Sequence, residues 1–400
     1  MSLISVDEAL ARCMADVTAL PSETVALVDS DNRVLAQPLQ ATRTQPPFDA
    51  AAMDGYAVRA GDAAHGATLN VIGQSAAGHA YSGVVGRGQA VRIFTGAPMP
   101  EGADAIVIQE NVTRDDAQIV LTEGSGETRH IRMRGVDFFE GDALLAAGTR
   151  LGPRAVTLAA AMGHDVLPVT RRPRVAVIAT GDELVLPGTP PNPDQIVCSN
   201  PFGIMAMLIR AGAETSFIGI AEDTEPALHA HLDRAADADL VITIGGASVG
   251  DHDLVAPTLR SRGVAFDFWK IAMRPGKPLM FGRKGPQRFL GLPGNPVSSL
   301  ICARVFAYPL IHGLLGLAWT GNQQTRAILT DRLEANGPRR HYMRAISKRS
   351  ENGDLSVAPV SSQDSSLLAT LNRADALIVR EAHAPVAEIA EPVTVLLLDF

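Results

Sequence analysis

The chain has 400 residues, of which 46% are hydrophobic and 20% are charged, so it is globular and long enough for two to four domains. A formal net charge of -8 argues against general nucleic-acid binding, and an aromatic content of 4% leaves few stacking surfaces for single strands. The three cysteines, Cys13, Cys198 and Cys302, form no C-x-x-C pair. They predict unpaired thiols in a reducing cytoplasm.

The first predicted element is an amphipathic helix near the N-terminus. Ser5 and Glu8 form a capping box at its start, and Val6, Leu10 and Val17 fall on one face. Acidic residues stand where a secretion signal would be basic, so we expect no targeting segment.

The next part of the chain, 46–140, is rich in glycine and alanine. Short alternating runs at 90–94 and 105–109 predict strands of a small β-rich insert domain. The flanking residues, 21–45 and 141–172, enter and leave this insert, and we assign them together to an elongated linker domain.

From residue 173 the chain alternates between predicted strands and predicted helices. The strands are expected at 174–179, 215–221, 239–244, 264–268 and 289–292, and the helices at 200–211, at 225–236 and after Asn295. This alternation predicts an α/β domain with an open, mostly parallel sheet and helices on both faces. We assign 5–20 and 173–320 to this domain.

The most apolar long stretch of the sequence is 297–319. It contains Arg304, Pro309 and His312, so we interpret it as a buried helix and not as a membrane span. The last region, 321–400, has short strand-like pieces and few helical signals, which predicts a compact β-barrel or sandwich.

Three glycine-containing turns follow strands of the predicted sheet, at 180–183, 245–251 and 293–298. Ligands of such sheets bind beyond the carboxyl ends of the strands, and the helices that follow would direct backbone N–H groups into the same crevice. We therefore expect a phosphate-bearing ligand there. The alternative is that glycine merely makes tight strand–helix turns. The candidate binding residues of these turns are Gly245, Gly246, Ser248, Pro293, Gly294, Asn295 and Ser298.

Acidic residues stand at or just after the same strand ends: Glu183, Asp223, Asp251 and Asp253. Carboxylates can bind Mg²⁺ while phosphate oxygens complete its shell, and we take Asp223 and Asp253 as the metal ligands. For any single one of them, a helix cap or a solvated loop acid is the alternative.

Three cations, Lys270, Arg274 and Lys277, lie in the segment FWKIAMRPGKPLMFG. Pro275 and Gly276 prevent a helix there, so we expect an irregular loop between apolar flanks. Arginine and lysine in such a loop can bind an oxyanion. A solubilising surface loop is the alternative.

Two further clusters lie in the β-rich region. PPFDAAAMDGYAV contains Asp54 before a glycine turn, and VRIFTGAPMPEGADAIV places Thr95 on a loop rich in glycine and proline. Taken alone, each is explained by ordinary turn chemistry.

Taken together, six motifs in this order resemble the molybdopterin molybdenumtransferase family, of the MoeA and gephyrin E-domain type: FDAAAMDGYAV, RIFTGAPMPEGADAIVIQE, TGDELV, GGASVGDHD, KIAMRPGKPLMFG and GLPGNPVSS. The resemblance covers nearly the whole chain. It implies insertion of molybdate into adenylylated molybdopterin, with release of AMP and with assistance from Mg²⁺. It also implies an elongated cytoplasmic homodimer of four-domain subunits, each with a C-terminal β-barrel.

The resemblance also assigns roles to residues. It implies catalytic roles for Asp54, Thr95, Asp137, Glu183, Lys270 and Arg274, and substrate binding by residues that include Ser248, Lys277, Ser298, Arg344 and Ser365. Asp223 and Asp253 remain the metal ligands. The chain departs from the family at Ala256, where a lysine is common, and Arg274 replaces a commoner lysine. Arg344 and Ser365 lie in segments that match the family only loosely.

Asp54 and Thr95 belong to the β-rich domain, whereas the metal and anion residues belong to the α/β domain. An extended subunit cannot easily fold its own insert onto its sheet edge, but a two-fold partner can supply it. We therefore expect a homodimer with a composite active site.

Two other functions stay open. One is the sister activity, adenylylation of molybdopterin by ATP, because its α/β domain looks similar. The other is a non-enzymatic scaffold of the gephyrin type, although a scaffold would not need the acidic and cationic set. The resemblance admits molybdoenzymes or other cofactor-biosynthesis proteins as partners, and we expect neither nucleic acid nor membrane among them.

Overall fold

The structure is a computed structural model that describes residues 3–124, 130–246, 254–318 and 321–398. Part of the second predicted turn lies outside the described residues, including Ser248 and Asp251, and so do His252 and Asp253, which follow it.

Six strands form the sheet of the α/β domain. They are β1 Arg174–Thr180, β2 Glu214–Ala221, β3 Leu240–Ile244, β4 Ala265–Trp269, β5 Met280–Lys284 and β6 Gln287–Leu292. Their order across the sheet is β2-β1-β3-β6-β5-β4, and the first four run parallel. The strand β5 runs antiparallel to both of its neighbours, β6 and β4. The prediction of an open, mostly parallel sheet is confirmed.

The strand β5 was not predicted. The cationic loop was expected between apolar flanks, and in the flank that follows it Met280 and Phe281 are fully buried and start this strand. A tight turn at Gly285, where φ is +57°, returns the chain into β6. The apolar end of the segment therefore joins the core, while the part before it stays outside the sheet.

The chain reverses its direction across the sheet at β1. From β1 it moves outward to β2 on one side, and it then crosses to β3 on the other side. Loops that leave the carboxyl ends of β1 and β3 thus diverge, which opens a crevice between them.

Helices cover this sheet on both faces. They are Val6–Met14, Asn200–Ala211, Glu225–Arg234, Val255–Ser261, Pro296–Cys302 and Tyr308–Leu314, and a π-helical turn, Ala303–Ala307, joins the last two. Ser5 caps the first helix as predicted, since its hydroxyl oxygen accepts a hydrogen bond from Glu8 N at 3.0 Å. The first helix packs through Val6, Ala9 and Cys13 into the same core as the sheet.

Within the described residues, Pro296–Leu314 is the one helix long and apolar enough to span a membrane. However, 78% of its most apolar window is buried. Its side chains, including Phe306 and Leu310, pack into the core beneath β3 and β6. The interpretation as a buried helix is confirmed.

The segments on either side of the β-rich insert pair with each other. Ser22–Ala26 runs antiparallel to Val166–Thr170, and Leu39–Gln40 runs antiparallel to Ala143–Leu145. With the helix Pro153–Ala161 they enclose an apolar cluster of their own.

The β-rich insert contains a six-stranded sheet. Its strands are Gly55–Val58, Thr68–Ser75, Gln89–Ile93, Ala105–Ile108, Val112–Asp115 and Gln118–Leu121. A second, small pair joins Ala50–Ala51 to Ile131–Arg132. At the base of the insert, Gln45 and Phe138 form an antiparallel bridge, so the chain enters and leaves side by side.

The C-terminal region is a closed barrel. Its five strands, in order around the ring, are Arg340–Arg349, Leu355–Pro359, Thr325–Leu329, Pro392–Leu397 and Ala376–Arg380, and the last pairs back with the first. Of the two predicted alternatives, the barrel is therefore right. A two-residue strand of the cationic segment, Met273–Arg274, adds in parallel to Arg340–Arg349 and attaches the barrel to the α/β domain. A short helix, Leu368–Arg373, was not predicted.

Candidate active site

A cavity of about 730 Å³ opens at the carboxyl ends of β1, β3 and β6. This is the crevice at the point where the strand order reverses, and its volume suits a small-molecule ligand. The predicted site residues that line it are Glu183, Asp223, Gly245, Gly246, Pro293, Gly294 and Asn295. The three predicted turns are thus brought together at one place.

The turn after β3 requires glycine. At Gly245 φ is +98°, and an added Cβ would lie 2.6 Å from the Thr180 carbonyl oxygen. At Gly246 φ is +57°, and an added Cβ would lie 2.5 Å from a Val255 methyl group. The tight-turn explanation therefore holds for both glycines. Their backbones also form part of the cavity wall, so the same turn keeps the crevice free of side chains.

The charged side chains among the described lining residues are both acidic, Glu183 and Asp223. The turns that carry them are linked, because the Asp223 backbone N–H donates to Asp182 Oδ1 at 3.0 Å. Among the described residues no group of three or more His, Cys, Asp or Glu side chains is placed to hold a metal ion. Two carboxylates on one cavity nevertheless make it attractive to a cation.

Among the wall residues that were not predicted as site residues are Cys198 and Asn200. Cys198 is buried, and burial, followed by the nearby Glu183, raises the pKa of its thiol to about 11, so the thiol stays protonated at neutral pH. Asn200 donates to the Gly294 carbonyl at 2.7 Å and so fixes the turn after β6. Cys198 comes just before the predicted helix 200–211 and Asn200 starts it, which is the signal that could have found them.

The start of the helix after β6 contacts the barrel. Val297 N donates to the Ser365 carbonyl at 3.1 Å, and the next barrel residue, Ser366, lines the cavity. Ser298 is buried at the same helix start, with 4% of its surface exposed. The barrel thus supplies one wall of a cavity that otherwise belongs to the α/β domain.

Arg344 holds this barrel loop and is not among the lining residues. It is 1% exposed, and its guanidinium donates to the carbonyls of Leu367, Ser362 and Asp364 at 3.2, 3.0 and 2.8 Å. Three carbonyl oxygens around one buried guanidinium fix the course of the loop.

The cationic segment lies beside the cavity. Lys277 and Arg274 are exposed, Lys270 is half-buried, and Pro278, next to Lys277, lines the cavity. His341, which faces Arg274 across the strand pair, is 6% exposed. Burial, followed by Arg274, Arg339 and Arg344, lowers the pKa of His341 to about 4, so this surface carries its positive charge on arginine and lysine.

Ala256, the position of an expected family lysine, is fully buried in the helix Val255–Ser261. It packs in the apolar cluster between that helix and the sheet. The side chain of Ala256 therefore packs in the core and cannot contact a phosphate.

Asp54, Thr95 and Asp137 lie elsewhere and do not line the cavity. Asp54 and Thr95 are joined by hydrogen bonds within the β-rich insert. Asp137 is exposed at the base of the insert, where its backbone N–H donates to Gln45 O at 3.2 Å. Within one chain the structure does not bring these three residues to the cavity.

Around the base of the insert, large apolar side chains are exposed. The exposed fractions are 40% for Phe48, 43% for Met53, 56% for Met133, 67% for Val136 and 50% for Phe139. The two segments that carry them are hydrogen-bonded to each other, through Gly135 N to Pro46 O at 3.0 Å and through Ala52 N to His130 O at 2.9 Å. We call these five residues the insert patch.

Curated relatives match the chain along its whole length. The molybdopterin molybdenumtransferase of Haemophilus influenzae is 35% identical over 398 residues, which cover 98% of each chain. That of Bacillus subtilis is 33% identical over 99% of this chain and 94% of its own. The chain belongs to the MoeA family.

The family profiles follow one another along the chain. The MoeA N-terminal region (domain I and II) matches residues 4–163, a probable molybdopterin binding domain matches 176–313, and the MoeA C-terminal region (domain IV) matches 326–398. A solved MoeA protein from Pyrococcus horikoshii superposes with a TM-score of 0.85 at 29% identity and covers all of both chains. The cavity lies in the part that matches the molybdopterin binding profile, with one wall from the MoeA C-terminal region.

Proposed function

We propose that this chain is a molybdopterin molybdenumtransferase. It inserts molybdate into adenylylated molybdopterin, releases AMP and yields the molybdenum cofactor. The observation that carries the proposal is the acidic cavity at the strand-order reversal, which gathers three strand-end turns and Glu183 and Asp223 in the molybdopterin-binding part of the chain. The names of the relatives agree with it.

Mg²⁺ fits the donor set of this cavity. The charged side chains among the described lining residues are two carboxylates. They would repel a pyrophosphate unless a cation lay between the carboxylates and the phosphates. Mg²⁺ is commonly held by one or two carboxylates together with substrate phosphates. We propose Asp223 and Asp253 as its ligands, with Glu183 nearby; when bound, the ion neutralises phosphate oxygens.

We propose that the cationic segment binds molybdate, a tetrahedral dianion. Lys277 adjoins the lining residue Pro278, and Ser298 lies in the first turn of the helix in which Val297 contacts Ser365 of the barrel. Lys270 and Arg274 add positive charge on the same side. Cations beside an acidic, metal-holding cavity place the oxyanion next to the pterin and not within the pyrophosphate site.

We propose a homodimer with a composite site. Asp54, Thr95 and Asp137 lie outside the cavity of their own chain, while the insert patch exposes five large apolar residues beside them. Contiguous exposed apolar surface of this kind is typical of protein interfaces. A second copy would bury the patch and bring Asp54 and Thr95 to the partner's cavity.

The proposed setting is the cytoplasm. Cys13, Cys198 and Cys302 are free and buried, which fits a reducing compartment. Molybdoenzymes and other cofactor-biosynthesis proteins are proposed as the recipients of the product.

The deciding experiment supplies purified protein with adenylylated molybdopterin and Mg²⁺ and follows AMP release with and without molybdate. We expect release that depends on molybdate. A parallel reaction contains ATP and molybdopterin, and formation of the adenylylated product there would instead support the adenylyltransferase. No turnover in either reaction would favour the scaffold.

A matched pair of variants tests the metal proposal. Asp223→Asn should abolish AMP release and leave the fold intact, because loss of a metal ligand removes charge stabilisation of roughly several kcal/mol. Asp182→Asn is the control on the neighbouring turn, since Asp182 accepts a backbone hydrogen bond and does not line the cavity. Normal Mg²⁺-dependent release by Asp223→Asn overturns the assignment.

A further inference from the structure

The barrel contributes a wall to the cavity through the loop 362–367, which we call the barrel loop. Ser366 is the residue of this loop that lines the cavity. Ser366 belongs to the barrel and not to the domain that forms the rest of the cavity wall, so its position depends on how the loop is held.

The side-chain amide of Gln363 forms hydrogen bonds with both backbone groups of Arg344, a residue of the strand Arg340–Arg349. Arg344 N donates to Gln363 Oε1 at 3.0 Å, and Gln363 Nε2 donates to the Arg344 carbonyl at 2.9 Å. A side-chain amide that is bonded on both sides cannot rotate, so it locks the loop to the strand Arg340–Arg349. The Arg344 guanidinium adds three bonds to loop carbonyls, as described above.

Asp364 then orients Ser366. Its Oδ1 accepts from Ser366 N at 2.9 Å and from Ser366 Oγ at 2.8 Å. These two bonds lower the pKa of Asp364, so the carboxylate is ionised near neutral pH and can only accept. The hydroxyl proton of Ser366 is therefore committed to Asp364, which leaves Ser366 Oγ as an acceptor for a ligand in the cavity that this residue lines.

We propose that Ser366 is a specificity-determining residue that accepts a hydrogen bond from an N–H group of the bound heteroaromatic ring, and that Gln363 is the positioning residue that sets it. This inference rests on the proposed function and names a contact within it. A phosphate or molybdate oxygen is itself an acceptor and gains nothing from such an oxygen. The pterin ring and adenine both carry N–H donors, so the two halves of adenylylated molybdopterin are the candidate sources.

The test measures the affinities of wild type and Ser366→Ala for molybdopterin and for AMP separately, with inorganic pyrophosphate as a third ligand. We expect about a tenfold loss for the ring that Ser366 contacts, the size of one hydrogen bond, and no change for pyrophosphate. Ser366→Thr keeps the hydroxyl and should restore the affinity. Amide hydrogen exchange in the barrel loop of Ser366→Ala should stay near the wild-type rate.

The chain offers a matched control in Ser347→Ala. Ser347 makes the same kind of bonds, with N and Oγ donating to Asp375 at 2.6 and 3.0 Å, but it does not line the cavity. Its substitution should leave all three affinities unchanged.

Gln363→Ala tests the positioning role. It should speed amide exchange in the barrel loop and raise KM for adenylylated molybdopterin several-fold with little change in kcat. Gln363→Glu should raise KM as well, because its second oxygen would face the Arg344 carbonyl. If Ser366→Ala binds both rings as tightly as the wild type does, this inference is overturned and the proposed function stands. If the wild type binds neither ring, both are overturned.

Discussion

Thr95 donates two hydrogen bonds to a single oxygen of Asp54, since its backbone N and its Oγ1 each lie 2.7 Å from Asp54 Oδ1. The backbone bond, followed by the hydroxyl bond, lowers the pKa of Asp54. Only the hydroxyl bond can be removed by a side-chain substitution, so the two contributions can be separated.

The first prediction concerns the pH dependence of activity. Thr95→Val should raise the pKa of Asp54, because the ionised carboxylate loses one donor. A depressed pKa favours the ionised form, which is lost as the pH falls through that pKa, so the acid limb of the activity profile should move to higher pH. Thr95→Ser, which keeps the hydroxyl, should follow the wild type. Coincident acid limbs for the valine variant and the wild type would contradict this role for Asp54.

The second prediction concerns the composite site. Asp54→Asn and Asp253→Ala subunits, each inactive alone, are unfolded together and reassembled. Random pairing makes about half of the dimers mixed, each with one intact site, so roughly a quarter of the wild-type activity should return. A site built within one subunit recovers nothing, because every subunit carries a lesion. No activity from confirmed mixed dimers rules the shared site out.

The third prediction concerns molybdate. Lys277→Gln should raise the molybdate concentration needed for half-maximal AMP release more than it weakens binding of adenylylated molybdopterin, because the lost charge faces the oxyanion. Lys284→Gln is the matched control: Lys284 is also exposed, but it ends β5 on the far side of the sheet from the cavity. Equal losses for both ligands in Lys277→Gln would count against a molybdate role.

The fourth prediction concerns an ionic clamp between the first helix and the barrel. Arg340 donates to both oxygens of Asp7 at 2.7 Å and to Glu381 at 2.8 Å, and its side chain is 16% exposed. Arg340→Gln should lower the free energy of unfolding by about 1 kcal/mol, a figure reduced for screening because Asp7 is largely exposed. Arg332→Gln removes two exposed ion pairs on the same barrel, with Glu334 and Glu388, and its free energy of unfolding in denaturant should change little.

The clamp also has a pH signature. Hydrogen bonds from Arg340 lower the pKa of Asp7. Its contribution to stability is therefore complete above the unfolded-state value of about 4 and disappears as the pH falls through the lowered native pKa. The stability difference between the wild type and Arg340→Gln should shrink below about pH 4. A difference that stays constant into that range would show that Asp7 is not the partner that matters.

The fifth prediction concerns the close approach of Gly276, in the cationic segment, to Cys302. At Gly276 φ is +104°, and an added Cβ would lie 2.2 Å from Cys302 Sγ. Gly276→Ala should cost about 2–3 kcal/mol of stability, from backbone strain plus overpacking. Gly285→Ala is the control. At Gly285 φ is +57° and an added Cβ would meet no atom within 4 Å, so this substitution should lose only the stability that backbone strain removes.

The same site allows a double-mutant test. Cys302→Ala removes the clashing sulfur, so Gly276→Ala should cost less in that background. Additive losses would show that the cost arises from the backbone alone.

The sequence predicts best where local pattern and end signals agree. The helix Asn200–Ala211 was predicted with the bounds that it has, because Pro201 stands in its first turn and Gly212, with φ +108°, ends it in the left-handed conformation. The three strand-end turns were found in the same way, and the topology of a parallel sheet then brings them together.

What the sequence missed depends on distant parts of the chain. The strand β5 follows a proline and a glycine that break the local pattern, and it forms because buried side chains pair with β6. Ser366 reaches the cavity from another domain, held by Gln363 and Arg344, and no periodicity near Ser366 indicates that contact. Within one chain Asp54 does not line the cavity, and its role in a composite site stays a prediction.

The bridge between Gln45 and Phe138 has a consequence for the origin of this chain. The two chain segments that enter and leave the insert there are hydrogen-bonded neighbours, with Gln45 N donating to Phe138 O at 2.9 Å. A tight turn across that pair would close the backbone without disturbing the strand pairs of the linker domain. The segment from 46 to 137 could therefore be removed, or replaced by another domain, without refolding the rest of the chain. A single recombination event could have added it to an ancestral chain that lacked it.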